Sequence, residues 1–151
     1  MMENTSTILL VDDNPDFVEL ARRSLSKSNI VNPIVVAEDG VDALDYLFCT
    51  GAWADREPKD NPVLILLDLK LPRIDGLEVL RRLRADPRTK LIPVVVLTTS
   101  TEDKDIATAY TLGCNSYIRK PVDFTKLSVT MQQTGLYWLV INQPPDLGSA
   151  E

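Results

Sequence analysis

Three aspartates, one threonine and one lysine stand at the ends of apolar runs, where polar groups are costly to bury. Asp68 follows Val63-Leu64-Ile65-Leu66-Leu67, the most apolar stretch of the chain. Asp12 and Asp13 follow Ile8-Leu9-Leu10-Val11 in the same way. Thr98 follows Val94-Val95-Val96-Leu97, and Lys120 comes just after Tyr117-Ile118. A carboxylate taken out of water without a partner is strongly disfavoured, so such positions call for a compensating group. If the runs are parallel strands of one sheet, three carboxylates, a hydroxyl and an ammonium meet at one edge. Carboxylates about 4 Å apart repel by roughly 4 kcal/mol at an effective dielectric near 20. A trapped proton or a bound cation must relieve that repulsion. Oxygen ligands without histidine or cysteine favour Mg²⁺, which keeps several waters and accepts phosphate oxygens. Lys120 and Thr98 suit phosphate oxygens, and an aspartate can receive a phosphoryl group covalently. Positioning and charge neutralisation carry that reaction, so no strong base is required.

The elements that must carry these groups alternate. Residues 7–11 read as a strand, and Asn14-Pro15 marks a helix start, with asparagine as cap and proline at the first helical position. Phe17, Leu20, Ala21 and Leu25 then recur at helical spacing. A second strand spans residues 34–37, and a helix after Gly40 carries Val41, Leu44, Leu47 and Phe48 on one side. Residues 50–62 (TGAWADREPKDNP) form the one long loop. Strand three covers 63–67, and a helix from Leu77 runs to Pro87. Strand four spans 92–97, and a helix from about 102 to 112 stops at Gly113. Residues 117–119 form a short fifth strand, and a last helix starts near Asp123 and fades before Pro144-Pro145. Five strands and five helices in alternation predict an α/β fold with a parallel sheet covered on both faces. Right-handed crossovers put the strand C-termini on one edge. A doubly wound order 2-1-3-4-5 sets Asp12 and Asp13 beside Asp68. The dinucleotide-binding alternative fails, because Asp12-Asp13-Asn14-Pro15-Asp16 has no glycine.

Composition excludes several classes of function. The 151 residues suit one domain with a genuine core, at 44% hydrophobic and 25% charged. A net charge of −6 without a Lys/Arg block argues against nucleic-acid binding. No histidine occurs, which removes histidine nucleophiles, bases and relays. No apolar run approaches the roughly 20 residues of a membrane span, and no secretory pattern opens the chain, so a cytoplasmic location is expected. Cys49 and Cys114 are too few for a disulfide framework and read as packing residues.

Over residues 7–141 the chain resembles the receiver domain of two-component response regulators. The matching residues are Asp12-Asp13, Asp68 in LLDLKLPRIDG, Thr98 in VVVLTTS and Lys120-Pro121 in YIRKPVD. The resemblance implies a flavodoxin-like fold, a phospho-accepting signalling domain rather than a turnover enzyme, and Asp68 as the acceptor. It implies Mg²⁺ on Asp13, Asp68 and the backbone carbonyl of Lys70, with Asp12 acting through water. Thr98 and Lys120 would hold phosphoryl oxygens, Tyr117 would be the aromatic switch, and the Lys120–Pro121 peptide would be cis. The 50–62 loop, DPRTKLIPVVVLTTS and the ending LYWLVINQPP resemble the small cyanobacterial regulators paired with phytochrome histidine kinases. Residues 1–6 are expected to be disordered. Residues 142–151 read as a flexible tail too short for an output domain, which implies a stand-alone receiver.

Plainer readings apply to some of these residues. Asp12 or Asp13 alone could cap a helix, and Ser100 or Thr101 reads as a helix cap. Asp39-Gly40 and Asp75-Gly76 read as loop and turn chemistry. Trp53 is either a partner contact or a cover for a core edge. Phe124, Leu127, Met131, Trp138 and Ile141 form a core stripe, while Leu136, Leu139 and Val140 widen it beyond what one side of a sheet buries. Gly135 weakens that helix by about 1 kcal/mol against alanine. Outside support is therefore expected, from a homodimer through the fourth and fifth helices. The rival functions are a non-catalytic interaction module on the same fold and a small-molecule aspartyl phosphatase. The phosphatase would need an Asp-x-Asp pattern after the first strand, which Asp12-Asp13-Asn14 does not provide.

Overall fold

Near-continuous aliphatic runs become strands because both of their faces find apolar cover. In the computed structural model, which describes residues 6–145, these are β1 (Ile8–Val11), β2 (Ile34–Ala37), β3 (Leu64–Leu67), β4 (Val94–Thr98) and β5 (Ser116–Arg119). They form one parallel sheet in the order β2-β1-β3-β4-β5. The helices are α1 (Pro15–Lys27), α2 (Gly40–Phe48), α3 (Gly76–Ala85), α4 (Asp103–Leu112) and α5 (Phe124–Leu136). A single 3₁₀ turn, Gly51–Trp53, follows α2, and a π-helical turn, Tyr137–Ile141, extends α5.

Strand alternation splits the core in two. Leu9, Val11, Ile65, Leu67, Val94 and Val96 pack with α2, α3 and α4. Ile8, Leu10, Leu64, Leu66, Val95 and Leu97 pack with Phe17, Ala21 and Leu25 of α1 and Leu127 and Met131 of α5. Local capping fixes where helices begin. The Asn14 side chain accepts from the backbone N–H groups of Asp16 and Phe17, with Pro15 at the first position. Asp39, Asp75 and Asp123 cap α2, α3 and α5 in the same manner, each accepting from the N–H three residues on.

Gly135 has a packing reason that its helical cost concealed. A Cβ there would lie 2.5 Å from Cδ2 of buried Leu25, so the absent side chain lets α5 approach α1 closely. The expected core stripe on α5 holds for Leu127 and Met131, and Trp138 packs at its edge. Phe124 and Ile141 are exposed instead. Phe124 is the first residue of the helix, and Ile141 ends a π-helical turn whose wider winding carries it off the stripe.

Trp53 covers a core edge. Its ring stands edge-on to Tyr46 with centroids 4.9 Å apart, and its Nε1–H donates to Asp42 at 3.0 Å. Cys114 is buried, whereas Cys49 ends α2 in a left-handed conformation (φ 58°). Of the termini, residues 1–5 and 146–151 lie outside the described residues. The Ser6 carbonyl accepts from the Asn32 side chain at 2.9 Å, and the Asn142 N–H donates to the Tyr137 carbonyl at 2.6 Å. No helix among the described residues is long and apolar enough to cross a membrane.

Candidate functional site

Register brings the acidic groups to one level. Val11 pairs with Leu67, so the next residues, Asp12 and Asp68, leave the sheet edge side by side. The Asp68 N–H still bonds the Val11 carbonyl at 3.0 Å, and the Asp12 N–H bonds that of Ala37 at 3.0 Å. At the other side Thr98 pairs with Arg119, which places Lys120 one step beyond the ladder. The Lys120 N–H donates to the Thr98 carbonyl at 2.7 Å.

Asp12, Asp13 and Asp68 each offer a carboxylate oxygen, and these oxygens lie within 4.8 Å of one another. Asp12 is 1% exposed and Asp68 8%, while Asp13 faces solvent. Lys120 reaches across from β5 to join them. Its Nζ lies 2.6 Å from Asp12 Oδ2 and 3.4 Å from Asp68 Oδ2. The same ammonium sits 4.1 Å from the centroid of the buried Phe17 ring, a cation–π contact. The other oxygen of Asp12, Oδ1, accepts from the Asn14 N–H at 2.9 Å. Burial pushes the Asp12 carboxyl above its ordinary value, and the bond and charge of Lys120 hold it back. One ammonium against three acids leaves the cluster short of positive charge. Its hard oxygen donors fit a divalent cation.

The acceptor loop is shaped around Asp68. The Lys70 N–H donates to Asp68 Oδ1 at 3.3 Å. A Cβ on Gly76 would lie 2.2 Å from the Asp68 carbonyl oxygen, so α3 starts against the acceptor backbone only because residue 76 has no side chain. Nothing in the composition around Asp75-Gly76 distinguishes this close approach from an ordinary turn.

Thr98 and Tyr117 meet through Ser100. Thr98 is fully buried, and its Oγ1 accepts from the Ser100 N–H at 3.4 Å. The Tyr117 hydroxyl donates to the Ser100 carbonyl at 3.1 Å, and burial raises its phenol pKa. Ser100 or Thr101 was expected to cap α4, but the cap position is Glu102, which makes no side-chain cap bond. Ser100 Oγ accepts from the Glu102 N–H at 3.3 Å, ahead of the helix, and donates to Asp105 Oδ2 at 2.6 Å. That bond, followed by the charge of Lys70, holds the Asp105 carboxyl below its usual range.

Sequence reasoning therefore found Asp12, Asp13, Asp68 and Lys120 as one cluster, with Thr98 and Tyr117 linked at its flank. It missed Phe17 as the floor of Lys120, Gly76 as the spacer and Asp105 as the partner of Ser100. Phe17 and Asp105 each carried a sufficient local explanation, as core residue and helix-start acid. One expectation is corrected outright. No cis peptide occurs among the described residues, so Lys120–Pro121 is trans. The trans form is the intrinsic preference of an X–Pro bond by about 0.5–1 kcal/mol.

Comparison with known proteins agrees with this geometry. The family model of the response regulator receiver domain matches residues 8–132. The probable methanogenesis regulatory protein FilR2 of Methanothrix harundinacea is 40% identical over 143 residues, covering 95% of this chain and 90% of that one. Response regulator Rcp1 of Synechocystis is 38% identical over 132 residues, 87% of this chain and 88% of its own. The Mn²⁺-bound Rcp1 crystal structure superposes with a TM-score of 0.87 at 35% identity, covering 93% and 99%. The phosphorylated cyanobacterial phytochrome response regulator RcpA superposes with a TM-score of 0.88 at 37% identity, covering 95% of this chain and 100% of that one. With its 2-1-3-4-5 sheet and an acidic cluster suited to a divalent ion, this chain belongs to the response regulator receiver domain family, among relatives that serve phytochromes.

Proposed function

We propose that this protein receives a phosphoryl group on Asp68 from the phosphohistidine of a histidine kinase, and that the kinase is a phytochrome. The observation that carries this reading is Lys120 Nζ held between Asp12 and Asp68 beside the Asp13 carboxylate. An Asp68 oxygen forms the new bond to phosphorus as the phosphorus–nitrogen bond of the donor breaks. Lys120 and the Thr98 hydroxyl then bind phosphoryl oxygens, Lys120 by exchanging part of its contact with Asp12. Asp13, Asp68 and the Lys70 carbonyl, with Asp12 through water, would hold Mg²⁺. When bound, Mg²⁺ supplies the positive charge that lets a phosphate approach three acids.

The signal leaves through Ser100. A Thr98 drawn toward the phosphoryl group pulls on the Ser100 N–H, and the Ser100 carbonyl carries the Tyr117 hydroxyl with it. Reversing a two-state population from 1:99 to 99:1 takes about 5.5 kcal/mol. Two charge-assisted bonds of up to about 3 kcal/mol each are of that size. The surface of α4, β5 and α5 responds, and a second copy of the chain docks there. Exposed Tyr110, Val129, Leu136, Tyr137 and Val140 support that part of the reading. A phytochrome partner is supported by the likeness to RcpA.

The test is labelling by acetyl phosphate, and by a phytochrome kinase with ATP, in the presence of Mg²⁺. Wild type takes up label and Asp68→Asn does not. Label persisting in Asp68→Asn moves the acceptor elsewhere, and an unlabelled wild type leaves a non-catalytic interaction module.

A further inference from the structure

The ammonium of Lys120 is held by more than the acids beside it. Among the described residues its three N–H donors meet two carboxylate oxygens, Asp12 Oδ2 at 2.6 Å and Asp68 Oδ2 at 3.4 Å. The Phe17 ring lies against the same nitrogen, with its centroid 4.1 Å away. The Lys120 side chain is 9% exposed and Phe17 4%, so this contact is largely out of water. One loop sets both the acid and the ring. Asp12 Oδ1 accepts from the Asn14 N–H at 2.9 Å, and the Asn14 side chain accepts from the Phe17 N–H at 3.3 Å. The ring belongs to the core between the sheet, α1 and α5. Core packing accounts for its burial, but packing does not require a cation against its face.

We propose that Phe17 is a positioning residue for phosphoryl transfer to Asp68, its ring face keeping the Lys120 ammonium at the acceptor once Mg²⁺ has neutralised the acids. The proposal rests on Asp68 as acceptor and Lys120 as a phosphoryl-binding group. Attraction of Lys120 to Asp12 and Asp68 is Coulombic and depends on their negative charge. A divalent cation among the three acids cancels most of that pull and repels the ammonium as well. The lysine stem is flexible and its ammonium strongly hydrated, so escape to water is then open to it. The ring has no net charge to cancel, and its quadrupole attracts the ammonium whatever charge the acids carry. Lys120 is therefore in place when the phosphoryl group arrives, and it binds one of the phosphoryl oxygens without giving up a proton. An Asp68 oxygen forms its bond to phosphorus while the donor's bond to phosphorus breaks, and the donor departs with that electron pair, as acetate does from acetyl phosphate. Loss of the ring has opposite effects on two measurements. Fewer molecules hold Lys120 in place, so labelling slows. The departed ammonium no longer repels the metal, so Mg²⁺ binds more tightly.

The experiment compares the intact wild type with two proteins altered at residue 17. Phe17→Leu keeps an apolar side chain without a π face. A ring-trifluorinated phenylalanine at the same position keeps the shape and withdraws negative charge from the face. Labelling rates are measured with acetyl phosphate at saturating Mg²⁺, and Mg²⁺ alone is titrated by calorimetry. Labelling slows about tenfold in Phe17→Leu and about threefold in the fluorinated protein, the order expected when a desolvated cation–π contact is lost or weakened. The Mg²⁺ dissociation constant falls in both, by about threefold in Phe17→Leu, as like-charge repulsion is relieved. With Lys120→Met already present, neither change at residue 17 alters Mg²⁺ affinity, because both act through the same ammonium. Loosened packing alone would weaken labelling and Mg²⁺ binding together, so the opposed signs separate positioning from structural damage. If Phe17→Leu does not fold, the fluorinated protein decides. Unchanged labelling in the fluorinated protein overturns the proposal, as does Mg²⁺ binding that is unchanged or weaker. An effect on Mg²⁺ affinity that persists beside Lys120→Met overturns it as well. A wild type that takes no label removes the acceptor reading and this proposal together, whereas a labelled wild type with unaltered variants removes this proposal alone.

Discussion

Replacing Lys120 with methionine separates the charge of the site from its shape. Methionine matches the length of the lysine stem and can still lie against Phe17, so the main loss is the ammonium. At 2.6 and 3.4 Å the gross attractions to Asp12 and Asp68 are about 6 and 5 kcal/mol at an effective dielectric of 20. Most of that is offset by the desolvation that Lys120 itself suffers. Removing one partner of a buried pair leaves a net loss of about 3–5 kcal/mol, because the stranded charge stays buried. For a chain of this length the loss corresponds to a melting point lower by roughly 10 °C.

The pH dependence carries a sign. Burial already raises the Asp12 carboxyl above its reference value of 3.8, and Lys120 supplies the two largest opposing effects. Without Lys120 it rises further. A raised folded pKa means that the folded state holds its proton more tightly. The associated stability is therefore complete below the unfolded value and is lost as pH rises through the folded one. Lys120→Met is thus expected to match wild type near pH 3 and to fall behind as pH rises to 7. A divalent cation partly replaces the missing charge. Without the competing ammonium the variant binds Mg²⁺ more tightly than wild type, which recovers about 1.4 kcal/mol per tenfold difference in dissociation constant at saturating Mg²⁺, so the deficit is largest in chelator. The assay is thermal or urea unfolding by circular dichroism at several pH values, with EDTA or Mg²⁺. Equal stability of the two proteins at pH 7 in EDTA would refute the assignment of Lys120 as the group that offsets the burial of Asp12.

The remaining expectations concern α5 and the surface beside it. Gly135→Ala should destabilise the fold by about 1 kcal/mol in urea unfolding, although alanine is the better helix former. Overpacking against Leu25 costs about 1–3 kcal/mol and outweighs the propensity gain of about 1 kcal/mol. A stabilised variant would show that α1 and α5 are not in close contact there. Sedimentation of the wild type at tens of micromolar should give the mass of two chains, and Val140→Asp should return it to one. A wild type that sediments as a single chain ends the dimer proposal.

How much was legible in the sequence follows from how local each cause is. The strands were legible because an aliphatic run of four or five residues needs cover on both faces, and only a parallel sheet between helices supplies it. The start of α1 was legible from Asn14-Pro15, whose effect spans one turn. Asp12 and Asp68 stood out because each is a buried acid at the end of an apolar strand, with exposed Asp13 beside them. Trp53, Phe124 and Ile141 were less legible, since helical spacing or exposure in a loop does not reveal which neighbour arrives. Trp53 found Tyr46 and Asp42, whereas Phe124 and Ile141 found no cover within the described residues.

The sequence by itself determined the order of elements, the parity of each strand and the chemical types gathered at one edge. Tertiary structure alone decided which oxygen faces which nitrogen. Lys120 and Asp12 are 108 residues apart, and only the register of β1, β3, β4 and β5 brings them to 2.6 Å. The same holds for the Lys70–Asp105 contact between the β3–α3 loop and α4, and for the close approaches that Gly76 and Gly135 permit. Propensity and hydrophobic pattern act within a few residues and are written along the chain. Coulomb pairing, hydrogen-bond geometry and steric fit act across space at a few ångströms, and they take their values only once the sheet has closed.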